Sequence, residues 1–217
     1  MAELTVYSTP SDGDIYRDWE AVYATTHGAA NGTAIRSTIT ATYIDNAYVA
    51  GYGYQIIRGF LFFDTSPLGP GAVISAAILS LYGKESVETN LDHPDGGIVE
   101  GVQGDPLVVA NYGDHLLKTT LGADSYFSRD TWNIAGYNAK ALNATGIGWI
   151  NKTGITKFCI RSKGDIDIAV PTGKNYLGWW SNEKGGGFQP KLVITYATVS
   201  LHKSANMATK LVAAGLV

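Results

Sequence analysis

Two apolar runs dominate the pattern of hydrophobic and polar positions. Residues 58–66 (Arg-Gly-Phe-Leu-Phe-Phe-Asp-Thr-Ser) pass through a Pro/Gly turn at 67–71 into residues 72–83 (Ala-Val-Ile-Ser-Ala-Ala-Ile-Leu-Ser-Leu-Tyr-Gly). Runs of this length, separated by a turn, predict adjacent strands of a sheet buried on at least one face. Residues 34–43 show the other strand signature: Ile35, Ser37, Ile39, Ala41 and Tyr43 alternate with Arg36, Thr38, Thr40 and Thr42, giving a Thr-rich solvent face. With 55–63 and 74–82 as the central pair, segments 97–102, 131–134, 157–162, 165–169, 176–181 and 191–197 complete a set of about ten short strands. Strand-breaking clusters at 94–97, 104–106, 171–173 and 185–187 separate them.

One segment has a different period. In 142–150, Leu142, Trp149 and Ile150 recur at helical spacing and Asn143 is placed to cap the first turn, predicting one short helix weakened by Gly146 and Gly148. Residues 45–54 and 109–130, rich in Gly and Tyr or lacking periodicity, read as loops over the ends or faces of a sandwich. The β pattern ends after Tyr196. Residues 1–197 therefore form one β-sandwich domain, and 198–217 an appendix with Lys203 and Lys210 and an apolar end.

Composition narrows the function classes. A chain of 217 residues fits one all-β domain. Its 13 Tyr, 5 Trp and 26 Gly, with only 16% charged residues, describe a β-rich globular protein. A net charge of -3 with scattered Lys and Arg provides no field for a phosphate backbone, so no nucleic-acid partner is expected. No stretch reaches the roughly 18 apolar residues of a membrane helix, so no membrane insertion is expected. Residues 1–7 have neither the basic start nor the apolar run of a secretory signal. The acceptor-type triplets at Asn31, Asn143 and Asn151 are too short a pattern to carry weight. Cys159, flanked by apolar residues, reads as a small buried hydrophobe.

The order of the pieces resembles the DNRLRE-type jelly-roll domains, which are related to β-sandwich carbohydrate-binding modules. The residues that carry the resemblance are the early Asp-containing strand at 12–17, then Arg58, Phe60, Leu61, Phe63 and Asp64. Ile74, Ala77, Leu79, Leu81 and Tyr82 follow, with Thr131-Trp132-Asn133, the helix at 142–150, the 179–183 strand end and the closing Pro190, Leu192, Ile194 and Tyr196. The chain departs from the family at Trp180, in an enlarged segment at 83–130, and beyond Ala197. The resemblance implies an antiparallel jelly-roll β-sandwich, surface-displayed, that binds polysaccharide or builds surface structures without catalysis.

The candidate chemistry is sparse. His27, His93, His115 and His202 share no metal-ligand spacing with one another or with Cys159. Asp12 and Asp14 flank Gly13 and supply hard oxygens for a structural calcium, such as sandwiches related to carbohydrate-binding modules hold; the alternative is a solvated Asx turn. Nucleophile-elbow, zinc-protease and phosphate-loop patterns are absent. Asp92, Asp95, Glu100, Asp105 and Asp114 lie in or near the enlarged loops, where carboxylates are mostly solvated, so no enzyme is expected. For sugar binding, Trp179 and Trp180 are consecutive in a strand, so at most one is core and the other offers a stacking face. Tyr48, Tyr52 and Tyr54 are further candidates of the same kind. The reading that weighs more is that these aromatics cap the sandwich or fill an oligomer interface.

The expectation is a non-enzymatic structural protein of a virus particle or surface assembly, a decoration, fibre or cementing unit. Its partners would be further copies of itself in a homo-oligomer and other proteins of the assembly, with residues 200–217 docking on a neighbour. The second reading is a carbohydrate-binding module whose partner is a glycan.

Overall fold

The computed structural model describes residues 1–90 and 94–198. These form an antiparallel, β-sandwich-like fold with strands β1 (Ala2–Tyr7), β2 (Gly13–Glu20), β3 (Ala34–Arg36), β4 (Ala41–Val49), β5 (Gly53–Asp64), β6 (Ala72–Glu88), β7 (Gly96–Glu100), β8 (Tyr137–Ala141), β9 (Ile155–Ser162), β10 (Asn175–Trp180) and β11 (Lys191–Thr198). The α-helices are short: α1 (Tyr23–His27), α2 (Asn111–Asp114), α3 (Ala144–Gly148) and α4 (Lys163–Ile166). No helix among the described residues is long and apolar enough to cross a membrane.

The long strand β6 changes partners along its length, pairing first with β11, which carries β1 on its far side, and then with β10. β10 pairs with β4. β4 then passes to β5 through a hairpin, and Asp45 is the residue where it changes neighbours, lying opposite both Tyr176 and Ile57. β5 also pairs with β2 and, in its second half, with β9, which carries β7.

Alternation along β5 and β9 feeds two apolar clusters. Leu61, Phe63, Phe158 and Ile160 meet Leu79, Leu81, Leu177, Trp179, Leu192 and Ile194 in the core between the layers. Ile56, Phe60, Phe62 and Cys159 point the other way and are covered by Tyr23, Leu107, Tyr112 and Ile166 from the connections. Burial on both faces is why residues 58–63 read as a continuous apolar run instead of an alternating one. Gly59 marks the closest approach, because a Cβ there would stand 2.5 Å from the Trp179 ring.

Arg58 and Arg161 sit on the covered face and converge on Asp165 of α4; all three are wholly buried. Arg58 grips both carboxylate oxygens at 2.8 Å, and Arg161 donates to one at 2.6 Å. The second positive charge is spread over backbone: Arg161 donates to the carbonyls of His115 (2.8 Å) and Lys118 (2.9 Å), and Arg58 to that of Tyr112 while lying 4.1 Å from its ring. Burial pushes the Asp165 carboxyl up, but the two guanidiniums overcome it and hold the group well below the usual range. His115 is pushed down to about 4 by burial and is neutral. Its Nε2 accepts the Val102 N–H, which leaves the proton on Nδ1 to be donated to the Asn111 carbonyl.

Leu61, Leu79, Leu81, Leu192 and Ile194 are all fully buried, as expected, and so is Cys159, whose thiol burial pushes up to about 12. The predicted short helix is α3, capped by Asn143, whose Oδ1 accepts the Gly146 N–H; among the described residues α1, α2 and α4 accompany it. Other segments differ. Residues 165–169 are not a strand, because Ser162 caps α4 and the helix delivers Asp165 to the arginines. Residues 131–134 leave a 3-10 turn, and β8 supplies the strand that pairs with β6. Residues 34–43 break between β3 and β4, and 45–54 form the β4–β5 hairpin, not a loop. Residues 200–217 lie outside the described residues.

Two substitutions separate the contributions to stability. Leu61→Ala should cost about 2–5 kcal/mol through lost burial and a residual cavity. Asp165→Asn should cost about 3–5 kcal/mol by leaving two buried guanidiniums uncompensated. Urea unfolding of the purified variants measures both.

Candidate ligand-binding face

Along β10, Leu177 and Trp179 point into the core, so Tyr176, Gly178 and Trp180 face outward. Gly178 makes room for a ring: a Cβ there would stand 2.7 Å from Tyr43, which lies across the strand beside Tyr176 with centroids 5.9 Å apart. The Lys84 ammonium is 5.0 Å from the Tyr43 ring and 5.6 Å from the Trp180 ring. Lys184 then spans Trp180 (4.6 Å) and Phe188 (5.3 Å), Phe188 packs on Tyr82 (4.7 Å), and Tyr82 on Tyr137 (5.1 Å). The result is a row of half-buried aromatic rings interleaved with lysines on one outer face.

At the Tyr43/Tyr176 end the row opens into a cleft of about 220 Å³, also lined by Arg36, Asp45, Gln55, Ile57, Glu85 and Lys174. Most of its polar groups are engaged. Glu85 accepts from Lys84 (2.6 Å), the Tyr43 hydroxyl (2.7 Å) and the Tyr176 hydroxyl (3.3 Å), and the first two bonds hold its pKa below the ordinary value. Arg36 gives two nitrogens to Asp14, at 2.7 and 3.0 Å. Asp45 is the exception. It is 3% exposed, and its Oδ1 has no hydrogen-bond partner among the described residues. Burial drives its pKa well above the carboxylate range, and Lys174 and Arg36 offset that only in part. A buried polar atom without a partner is costly in a folded chain and marks a place where a ligand can complete the bonding.

The aromatic residues singled out from the sequence are dispersed. Trp179 is core, 0% exposed, and closes on Gly59. Trp180 is outward and stands in the row. Tyr54 packs against the covered cluster, between Tyr48 (4.9 Å) and Tyr23 (5.6 Å), and Tyr52 is 69% exposed beside Trp19 at the β4–β5 turn. Neither joins Trp180. Tyr43, Tyr176, Asp45 and Lys174 were missed. The spacing Tyr176-x-Gly178-x-Trp180, two rings on one face with a gap for a third, was the signal that could have found them.

Asp12 and Asp14 are both buried and diverge. Asp12 accepts the Ser8 hydroxyl (2.7 Å) and the Asn182 N–H (3.0 Å), tying the turn before β2 to the end of β10. Asp14 accepts from Arg36 and from the Tyr43 N–H (2.9 Å), tying β2 to β3 and β4. Two carboxylates occupied by different partners do not fit a shared calcium, and no group of three His, Cys, Asp or Glu placed to hold a metal is found among the described residues. Of the loop carboxylates, Glu100 pairs with Lys118 and Asp105 accepts from Ser11; Asp92 lies outside the described residues. Fold and cleft together describe a β-sandwich-like protein with an aromatic-lined surface site. Compared with protein-family models and with curated proteins, the chain matches none.

Burial pushes Asp12 up to about 7, with the neighbouring Glu183 adding to the shift. A carboxyl whose folded pKa is raised binds more protons when folded, so its stabilisation is complete below the unfolded value near 3.8 and is lost as pH rises toward 7. The melting temperature should therefore fall from pH 5 to about pH 8. Asp12→Asn should shrink that slope and be the more stable protein at the alkaline end, by calorimetry across the pH series.

Proposed function

We propose that the protein is a non-catalytic saccharide-binding β-sandwich that uses the cleft between Tyr43 and Tyr176. The observation that carries this reading is the buried Asp45 Oδ1, left without a partner at the floor of an aromatic-walled surface cleft. Saccharides present apolar ring faces that stack on aromatic side chains, together with hydroxyls that both donate and accept. The cleft supplies the complementary set: two tyrosine rings, one free carboxyl oxygen and two cationic donors. Catalysis by a carboxylate pair is not favoured, because Glu85 is held by three donors while Asp45 stands apart from it. The reading as a unit of a virion or surface assembly draws on the absence of a signal-like start, the single β-domain and the apolar tail; the docking role within it falls on residues 200–217, which lie outside the described residues.

A glycan array probed with the full chain tests the proposal. Tyr43→Ala and Tyr176→Ala should each lower affinity for the bound glycans about tenfold, the loss of roughly 1 kcal/mol of stacking or more, while Tyr52→Ala leaves it unchanged. A blank array, or loss on Tyr52→Ala alone, would overturn it.

A further inference from the structure

Charge accounting around the cleft distinguishes between saccharide classes. Arg36 is compensated by Asp14, and Lys84 by Glu85. Lys174 is different: its ammonium stands 5.3 Å from the Tyr176 ring, and no hydrogen bond or ion pair with Asp45 forms among the described residues, although both line the cleft. Burial drives the Asp45 carboxyl toward its neutral form, so it offsets the Lys174 charge only in part and the cleft keeps an excess of positive charge. Arg36 gives its Nε and Nη2 to Asp14, and no hydrogen bond from its Nη1 forms among the described residues.

Resting on the saccharide reading above, we propose that the cleft takes an acidic sugar. Its carboxylate would lie between Lys174 and Arg36 Nη1, and a ring hydroxyl would donate to Asp45 Oδ1. A neutral sugar satisfies Asp45 but leaves Lys174 uncompensated. A simple anion satisfies Lys174 but leaves Asp45 without a donor. A uronide carries both groups on one ring that Tyr43 and Tyr176 can flank. Glu85 does not repel it, because its charge is already matched by Lys84.

The same geometry gives the interaction a pH dependence. The charged and titratable groups that line the cleft with Asp45 are Arg36 from β3, Tyr43 from β4, Glu85 from β6, and Lys174 and Tyr176 at and just before β10; behind them Asp14 of β2 holds Arg36 and Lys84 holds Glu85, and Gln55 of β5 does not titrate. Burial raises both tyrosines, so they stay neutral, and the Lys84–Glu85 contact holds that pair charged. The carboxyls that change are Asp45 and, behind Arg36, Asp14, which burial pushes up to about 6. As pH rises and they ionise, the excess positive charge is cancelled and uronide binding weakens.

Isothermal titration calorimetry of the full chain tests this with oligogalacturonate, an alginate oligosaccharide and a hyaluronate fragment, each beside its carboxyl-reduced counterpart. At least one uronide should bind about tenfold or more tighter than its reduced form. Lys174→Gln, an exposed substitution, should lower uronide affinity about tenfold, with a clearly smaller loss for the reduced form. Asp45→Asn, checked for unchanged melting, should bind uronide with a smaller pH dependence than the unsubstituted protein, the remainder coming from Asp14. Equal affinity for uronide and reduced form, or no effect of Lys174→Gln, overturns the acidic-sugar inference and leaves the saccharide reading standing. No binding to any oligosaccharide, with a blank array, removes both.

Discussion

Everything on the covered side of the molecule depends on a single ionic arrangement, the grip of Arg58 and Arg161 on Asp165. Two cations and one anion buried together are unfavourable unless every donor finds an acceptor, and here the guanidiniums finish their bonds on the carbonyls of Tyr112, His115, Leu116 and Lys118. Those carbonyls belong to the long connection between β7 and β8. The charges thus specify where that segment lies, and by laying it over β5 and β9 they turn one outer sheet surface into interior. Without the cover, Phe60 and Phe62 would face water.

Asp45 makes the comparison that gives the site its meaning. Asp165 and Asp45 are both almost without solvent contact, yet the first is held ionised by two guanidiniums and the second is driven toward its neutral form with one oxygen unbonded. The difference comes from topology. Asp45 stands where β4 leaves β10 for β5, opposite both Tyr176 and Ile57, so its side chain opens onto a gap in the outer face instead of onto a partner strand. The ladder of rings and lysines running from Tyr176 to Tyr137 extends from this gap. One face of the fold is closed by charges that are satisfied, and the other is left with a group that is not.

The strands legible in the sequence were those with a strong one-dimensional signal. Residues 58–63 and 72–82 stood out because burial on both faces, or alternation against a core, shows in composition alone. The Asn143 cap showed because the capping residue and its helix are local. What was hidden depends on distant partners. Arg58 looked like the polar head of an apolar run, and nothing in 165–169 announced that Asp165 would be claimed by arginines on two strands. Asp45 lay in a Gly/Tyr-rich segment that reads as a loop until its pairing with β10 and β5 is known. The strand parity of Trp179 and Trp180 did separate core from surface, but which neighbours would meet Trp180 depended on Gly178 admitting Tyr43. Asp12 and Asp14 looked convergent across a glycine and instead serve as two separate cross-links.

The central claim, that ligand recognition sits on the open face around Asp45 while the covered face is structural, is tested most directly by amide chemical-shift mapping. An isotopically labelled chain would be titrated with a glycan that binds on the array. The account predicts shifts concentrated at Tyr43, Asp45, Gln55, Glu85, Lys174 and Tyr176, with the amides of α2 and α4 unmoved. Shifts centred instead on the connection covering β5 and β9, or on the Tyr52 turn, would contradict it.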